Sequence, residues 1–93
     1  MARLGIIGAG HVGEIVAYTA ALRGGYNEIV FYDINDKRLD GVVSDLQDAN
    51  RFYPHDTTFI AGTIDDVAKA DHIVVASGRI PENAQRRDEF KNN

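Results

Sequence analysis

Three glycines and one acidic residue have the types and the spacing needed to hold a phosphorylated ligand. Gly8, Gly10 and Gly13 follow directly after an apolar run, and Asp33 stands 20 positions after Gly13. Glycines permit a sharp turn and a close approach of phosphate to the backbone, and the N–H groups that begin a helix attract anions. A carboxylate accepts hydrogen bonds from ribose hydroxyls and repels a 2′-phosphate. The combination predicts a dinucleotide site that prefers NAD over NADP.

The residues between and beside these four are expected to contribute in smaller ways. His11 and Val12 offer backbone N–H groups to the pyrophosphate, and the His11 side chain is expected to face solvent. Ile34, next to Asp33, is counted among the cofactor-binding residues. Two simpler interpretations stay open, because the glycines could form a tight turn without a ligand, and Asp33 could only cap the following helix.

The elements that would position these residues form an α/β pattern. Short apolar strands alternate with helices, which predicts a Rossmann-type parallel sheet of about four strands with helices on both faces. The strands are expected near residues 4–7, 28–32, 57–61 and 71–76, and a short helical turn at 65–69. Asn35 or Asp36 is expected to cap the second helix. A strand order of 3-2-1-4 would place the crevice between the first and fourth strands.

Each of the two longer helices shows apolar residues at helical spacing, which predicts one face toward the sheet. The apolar positions of the first helix are Val12, Ile15, Val16, Thr19 and Ala20. Those of the second helix are Leu39, Val42, Val43, Leu46 and Ala49. Gly24 and Gly25 are expected to end the first helix.

Composition limits the other classes of function. The 93 residues allow one domain at most, and a net charge of −4 gives no basic surface for nucleic acid. The sequence has no cysteine, which excludes disulfides and thiolate metal sites, and no apolar stretch reaches the length of a membrane span. We therefore expect a cytoplasmic protein. No metal site is expected. Asp45 and Asp48 are explained as surface residues of the second helix, and His55 and His72 as loop and strand-edge residues.

After residue 78 the composition changes to a polar, nonperiodic stretch that Pro81 interrupts, which is typical of a loop. Its arginines could bind a substrate carboxylate or polarise a carbonyl, because a planar guanidinium donates two parallel hydrogen bonds. Simple solvation of Arg79, Arg86 and Arg87 is the competing interpretation.

Five segments together resemble the N-terminal, NAD-binding part of the L-lactate/malate dehydrogenase family, including L-2-hydroxyisocaproate dehydrogenases. They are residues 8–13, 31–34, 44–48, 70–78 and 86–88, in this order and spacing. The resemblance implies an NAD-dependent oxidoreductase that interconverts 2-hydroxy and 2-oxo acids. It further implies that residues 8–13 bind pyrophosphate, that Asp33 binds the adenosine ribose, and that Ala76, Ser77 and Gly78 contact the nicotinamide side.

The same resemblance implies a catalytic arginine in the loop that polarises the substrate carbonyl. Alignment backwards from Arg86-Arg87-Asp88 selects Arg86, whereas counting forwards from Gly78 selects Arg87, and Arg86 is preferred. Malate enzymes carry a substrate-reading arginine where this sequence has Pro81. A lactate-like or bulkier 2-oxo acid is therefore expected rather than malate.

The family's catalytic histidine, its partner aspartate and its substrate-binding arginine would all fall beyond residue 93. We therefore expect residues 1–93 to be an incomplete NAD-binding Rossmann domain without a substrate domain, inactive alone and drawn from a homo-oligomeric parent. The alternatives are a noncatalytic NAD- or nucleotide-binding module, a malate dehydrogenase fragment, and a fragment that self-associates through an exposed sheet edge.

Overall fold

The computed structural model describes residues 2–50 and 53–76, and within them it contains four strands and three helices. In chain order they are β1 (Ala2–Ile7), α1 (His11–Arg23), β2 (Tyr26–Tyr32), α2 (Asp36–Asp48), β3 (Thr58–Ala61), α3 (Ile64–Ala68) and β4 (His72–Val75). Strand and helix alternate throughout, as the sequence predicts.

The strands form one parallel sheet in the order β3-β2-β1-β4. The predicted order is confirmed, with β1 and β4 as neighbours whose pairing runs from Leu4 with His72 to Ile7 with Val75. In a parallel sheet all carboxyl ends meet at one edge. The residues that follow β1, β2 and β4 are therefore brought to the same place.

Helices cover both faces of this sheet. Leu4 and Ile6 point to one face, where the buried core includes residues of α1 and α2. Gly5 points to the other face, where a Cβ on it would lie 2.9 Å from a Val67 methyl group of α3. Alternate side chains of a strand face opposite sides, so each strand joins two cores.

The buried face of α1 differs from the prediction. Gly13, Ala17 and Ala21 face the sheet, whereas Val12 is 56% exposed and Ile15 is 49% exposed. The expectation that these two belong to the buried face was wrong. Small residues at intervals of four let the helix axis approach the sheet closely, and this approach sets the rotation of the helix.

The other members of the predicted α1 face differ in exposure. Val16 and Ala20 are partly buried against the core, and Thr19 is exposed. In α2 the predicted face is confirmed, because Leu39 and Leu46 are buried and the remaining three predicted residues lie against the core as partly buried side chains.

Two strands begin earlier than expected. β1 begins at Ala2 rather than Leu4, and β2 begins at Tyr26 rather than Glu28, since Ala2 pairs with Tyr26 across a register irregularity. β4 lies at the edge of the described sheet, with Ile73 and Val75 exposed. Within the described residues no helix has the length and apolar character to cross a membrane.

Candidate functional site

The chain leaves β1 through a sharp turn at Gly8. The φ angle of Gly8 is 111°, a conformation that side chains other than glycine rarely adopt. Its N–H donates to the Tyr32 carbonyl at 2.8 Å, which ties the turn to the end of β2. The glycine turn and the residue after Tyr32 are consequently held side by side.

Gly13 brings α1 against this turn. A Cβ at Gly13 would lie 2.1 Å from the Gly8 carbonyl oxygen, far inside any real contact distance. Only glycine fits there. The obstacle is the Gly8 backbone, which cannot move aside as a flexible side chain would. The glycine at position 13 therefore lets the start of α1 pack closely against the end of β1.

Gly10 leaves the start of α1 open. It is the N-cap residue, without a side-chain cap, and the first helical bond runs from the Glu14 N–H to the Gly10 carbonyl at 3.0 Å. The amides of His11 and Val12 precede that bond, so no helical carbonyl is placed to accept from them. Among the residues that the structure describes, a Cβ at Gly10 would meet only an Arg38 guanidinium nitrogen, at 3.9 Å. A phosphate can therefore approach this backbone.

Asp33 is the buried carboxylate at the same edge, with only 9% of its surface exposed. Its Oδ2 accepts from the Ala9 N–H at 2.7 Å, and its Oδ1 accepts from the Asn35 N–H at 2.8 Å. An ionised carboxylate has about four acceptor sites, so these two bonds leave acceptor capacity for ligand hydroxyls. The two amides also fix the orientation of the carboxylate beside the glycine turn.

The interpretation of Asp33 as a helix cap is not supported by the geometry. Asn35 caps α2, because its side-chain oxygen accepts from the Arg38 N–H at 3.0 Å. Between the two predicted caps, Asn35 and Asp36, the structure selects Asn35. Asp33 instead binds the glycine turn through the amide of Ala9, and the sequence prediction did not include this hydrogen bond. The position of Ala9 between two glycines was the available signal.

The remaining predicted residues fall into two groups. Ile34 is 89% exposed, and the His11 side chain is also exposed, as expected. Ala76 is buried at the end of β4 and its N–H donates to the Ile7 carbonyl at 2.8 Å, which places it opposite the glycine turn. Ser77, Gly78, Arg79, Arg86 and Arg87 lie outside the described residues.

Two histidines lie at the other edge of the sheet. His72 begins β4, where its Nδ1 and the Tyr26 hydroxyl are 3.0 Å apart. His55 lies against Gly24, where a Cβ would be 2.6 Å from the imidazole. Because Tyr26 begins β2 and Gly24 precedes it, both rings are at the amino ends of the strands. Neither histidine is near Asp33.

The acidic pair on α2 does not form a metal site in the described part of the chain. Asp45 and Asp48 are exposed, and no group of three potential metal ligands occurs in residues 2–50 and 53–76.

Comparison with known proteins shows the family of the chain. A family model described as "lactate/malate dehydrogenase, NAD binding domain" matches residues 2–93. The chain belongs to the lactate/malate dehydrogenase family. NAD is the coenzyme of the matched domain, and the glycine turn with its open backbone and the buried Asp33 carboxylate fit the phosphates and a ribose of that coenzyme.

Individual relatives agree with this assignment. The L-lactate dehydrogenase of Fusobacterium nucleatum is 35% identical over 89 residues, which are 96% of this chain and 28% of that protein. The malate dehydrogenase of Natronomonas pharaonis is 37% identical over 90 residues, 94% of this chain and 29% of that protein. The chain thus spans somewhat over a quarter of the length of these relatives.

A solved structure supports the same fold. The minor L-lactate dehydrogenase of Enterococcus mundtii superimposes with a TM-score of 0.80 at 26% identity, covering 95% of this chain and 28% of that one. The four-stranded parallel sheet is therefore the Rossmann-type arrangement of an NAD-binding domain.

Proposed function

We propose that residues 1–93 form an incomplete coenzyme-binding domain of an NAD-dependent L-2-hydroxy acid dehydrogenase, and that Asp33 is the residue that recognises the adenosine ribose. The observation that carries this proposal is the double anchoring of the Asp33 carboxylate by the Ala9 and Asn35 amides. Anchoring holds the carboxylate beside the backbone of Gly10 without exhausting its acceptor capacity.

The other contacts follow from the positions around Asp33. The first-turn amides of His11 and Val12 bind the pyrophosphate, supported by the open backbone at Gly10. The exposed Ile34 side chain offers an apolar surface on the adenosine side. Ala76, and with it Ser77 and Gly78, contacts the nicotinamide side, because Ala76 ends the strand next to the glycine turn.

For the whole protein we propose hydride transfer between NAD and a lactate-like 2-hydroxy acid. When bound, NAD supplies the hydride acceptor. Arg86, or Arg87 in the alternative alignment, polarises the substrate carbonyl. The names of the relatives support this substrate class, although one of them is a malate dehydrogenase and keeps malate as the alternative substrate. The homo-oligomeric parent and the cytoplasmic location stay predictions from the sequence.

A noncatalytic NAD-binding module is the second candidate, and the positions of His55 and His72 favour it for this chain alone. His55 and His72 lie at the edge opposite to Asp33, so neither is placed as a general acid or base beside the coenzyme. Both candidates have the same coenzyme site, but only the dehydrogenase turns over a 2-hydroxy acid.

Titration with NADH, followed by its fluorescence, tests the shared site. We expect saturable binding by the native chain and an affinity lower by about tenfold or more in Asp33→Asn, because a hydrogen bond to a charged group is lost. The matched control is Asp36→Asn, three residues away and exposed, which should bind NADH as the native chain does. Equal affinities in Asp33→Asn and the native chain would contradict the role of Asp33. Pyruvate turnover by this chain would exclude the noncatalytic module.

A further inference from the structure

Arg38 is a charged residue at the coenzyme edge that the site described above does not use. It lies in the first turn of α2, and one guanidinium nitrogen is 3.9 Å from the position of a Cβ on Gly10. Its side chain therefore reaches back from α2 over the glycine turn. Within the described residues the only ion pair joins Arg3 and Glu28, so no described carboxylate lies within 4.0 Å of the Arg38 guanidinium.

Arg38 and the pyrophosphate amides come from different elements. The pyrophosphate amides belong to the first turn of α1, whereas Arg38 belongs to the helix that begins three residues after Asp33. A ribose held by Asp33 would have the α1 amides on its phosphate side and the first turn of α2 on its hydroxyl side. From the first turn of α2, the long and exposed Arg38 side chain that reaches Gly10 can also reach a 2′-phosphate on a ribose held by Asp33.

Two opposite charges thus act on the same position. Asp33 repels a 2′-phosphate and is fixed by two amides, while Arg38 attracts it through a long, exposed side chain that can adjust to a ligand. We propose that Arg38 is a specificity-determining residue that weakens the discrimination of this site against a 2′-phosphorylated coenzyme. This inference rests on the proposed role of Asp33, because it requires the ribose to be held there.

The test compares ligands that differ only in the 2′-phosphate. Dissociation constants are measured by calorimetry for ADP and 2′,5′-ADP, and by fluorescence for NADH and NADPH. The variants are Arg38→Gln and, as the matched control, Lys37→Gln, which removes the exposed cation one residue earlier. Circular dichroism establishes that each variant keeps the fold.

We expect NADH to bind more tightly than NADPH to the native chain, and Arg38→Gln to widen the ratio of the two constants by about tenfold through weaker NADPH binding. NADH binding should change by less than about threefold, and Lys37→Gln should leave the ratio unchanged. Asp33→Asn should bring the dissociation constants of NADH and NADPH closer together, since it removes the repulsion between the carboxylate and the 2′-phosphate.

Three results would overturn the proposal. An unchanged ratio in Arg38→Gln would remove Arg38 from coenzyme discrimination. Equal weakening of NADH and NADPH would assign the guanidinium to the pyrophosphate instead. If Lys37→Gln changed the ratio of the two constants by as much as Arg38→Gln does, the effect would be due to general surface charge. If the native chain failed to bind NADH at all, the proposed function itself would fail, and this outcome is distinct from the other three.

Discussion

The two edges of the sheet use polar groups in opposite ways. At the carboxyl edge, the Asp33 carboxylate is buried and is held by the backbone amides of Ala9 and Asn35. At the amino edge, polar side chains mostly bind one another, as Arg3 Nε donates to Glu28 Oε1 at 2.7 Å. The Arg3 and Glu28 side chains are each 34% exposed.

The amino edge continues this self-contained arrangement. The Tyr26 hydroxyl lies at hydrogen-bond distance from His72, and the Arg3 N–H donates to Asp71 Oδ2 at 2.7 Å. Each of these side chains finds its partner within the chain. The comparison teaches that polarity alone does not mark a binding site. The proposed site instead combines a rigid, buried acceptor that keeps acceptor capacity with an open backbone.

The largest expected effect tests the rigidity of the carboxyl edge. Gly13→Ala should lower the free energy of unfolding by about 3 kcal/mol, because the added Cβ would lie 2.1 Å from the Gly8 oxygen. The matched control is Gly41→Ala in α2, where a Cβ meets no atom of residues 2–50 and 53–76 within 4 Å. That change should stabilise the protein by about 0.5–1 kcal/mol through helix propensity. Urea denaturation measures both, and equal effects would contradict the close packing of α1.

The next effect separates binding from folding at the same edge. Gly10→Ala adds a Cβ whose nearest described neighbour is the flexible Arg38 side chain, and the φ of Gly10 is −87°, which alanine adopts readily. We expect a loss of stability of less than about 1 kcal/mol, since alanine is a poorer N-cap than glycine. NADH affinity should be lower by about tenfold, since the methyl group occupies the path of the phosphate. Unchanged NADH affinity would show that phosphate does not approach Gly10.

At the amino edge the expected effect is smaller and affects stability alone. Glu28→Gln removes the ion pair with Arg3, and the half-exposed position limits the loss to less than about 1 kcal/mol. NADH affinity should equal that of the native chain. A measurable loss of affinity in Glu28→Gln would break the contrast between the two edges.

The smallest expected effect concerns the stability of the protein at acidic pH. The Thr63 backbone N–H at the start of α3 donates to Asp66 Oδ2 at 2.8 Å. This hydrogen bond, followed by one with the Thr63 side chain, holds the pKa of Asp66 below its usual value. A lowered pKa in the folded state stabilises the protein above the unfolded pKa, and this contribution is lost as the pH falls through the folded pKa. Asp66→Asn should therefore be slightly less stable near neutral pH and should converge with the native chain in acid. Parallel stability curves would contradict this cap.

Much of the site could be predicted from the sequence because glycine spacing and a distant acid report backbone geometry directly. Gly8 has the positive φ that its turn requires, and Asp33 lies beside that turn. The exposed face of α1 could not be predicted, because hydropathy favours Val12 and Ile15 over the small residues that fit the sheet. The rotation of α1 depends on a contact between two backbones, which hydrophobic periodicity does not report.

The contribution of the first turn of α2 was equally hidden. The sequence indicates that Asn35 or Asp36 begins a helix, but only the folded chain brings Arg38 of that helix to Gly10. This contact depends on the path of the connection between β2 and α2, which turns back toward the glycine turn.

The most direct test of the central claim is an NMR titration of the amide signals with NADH. We predict that the largest shifts occur at residues 8–13 and 33–35, and that Arg3, Glu28 and His72 at the amino edge keep their positions. Shifts concentrated at the amino edge, or no shifts at saturating NADH, would contradict the account.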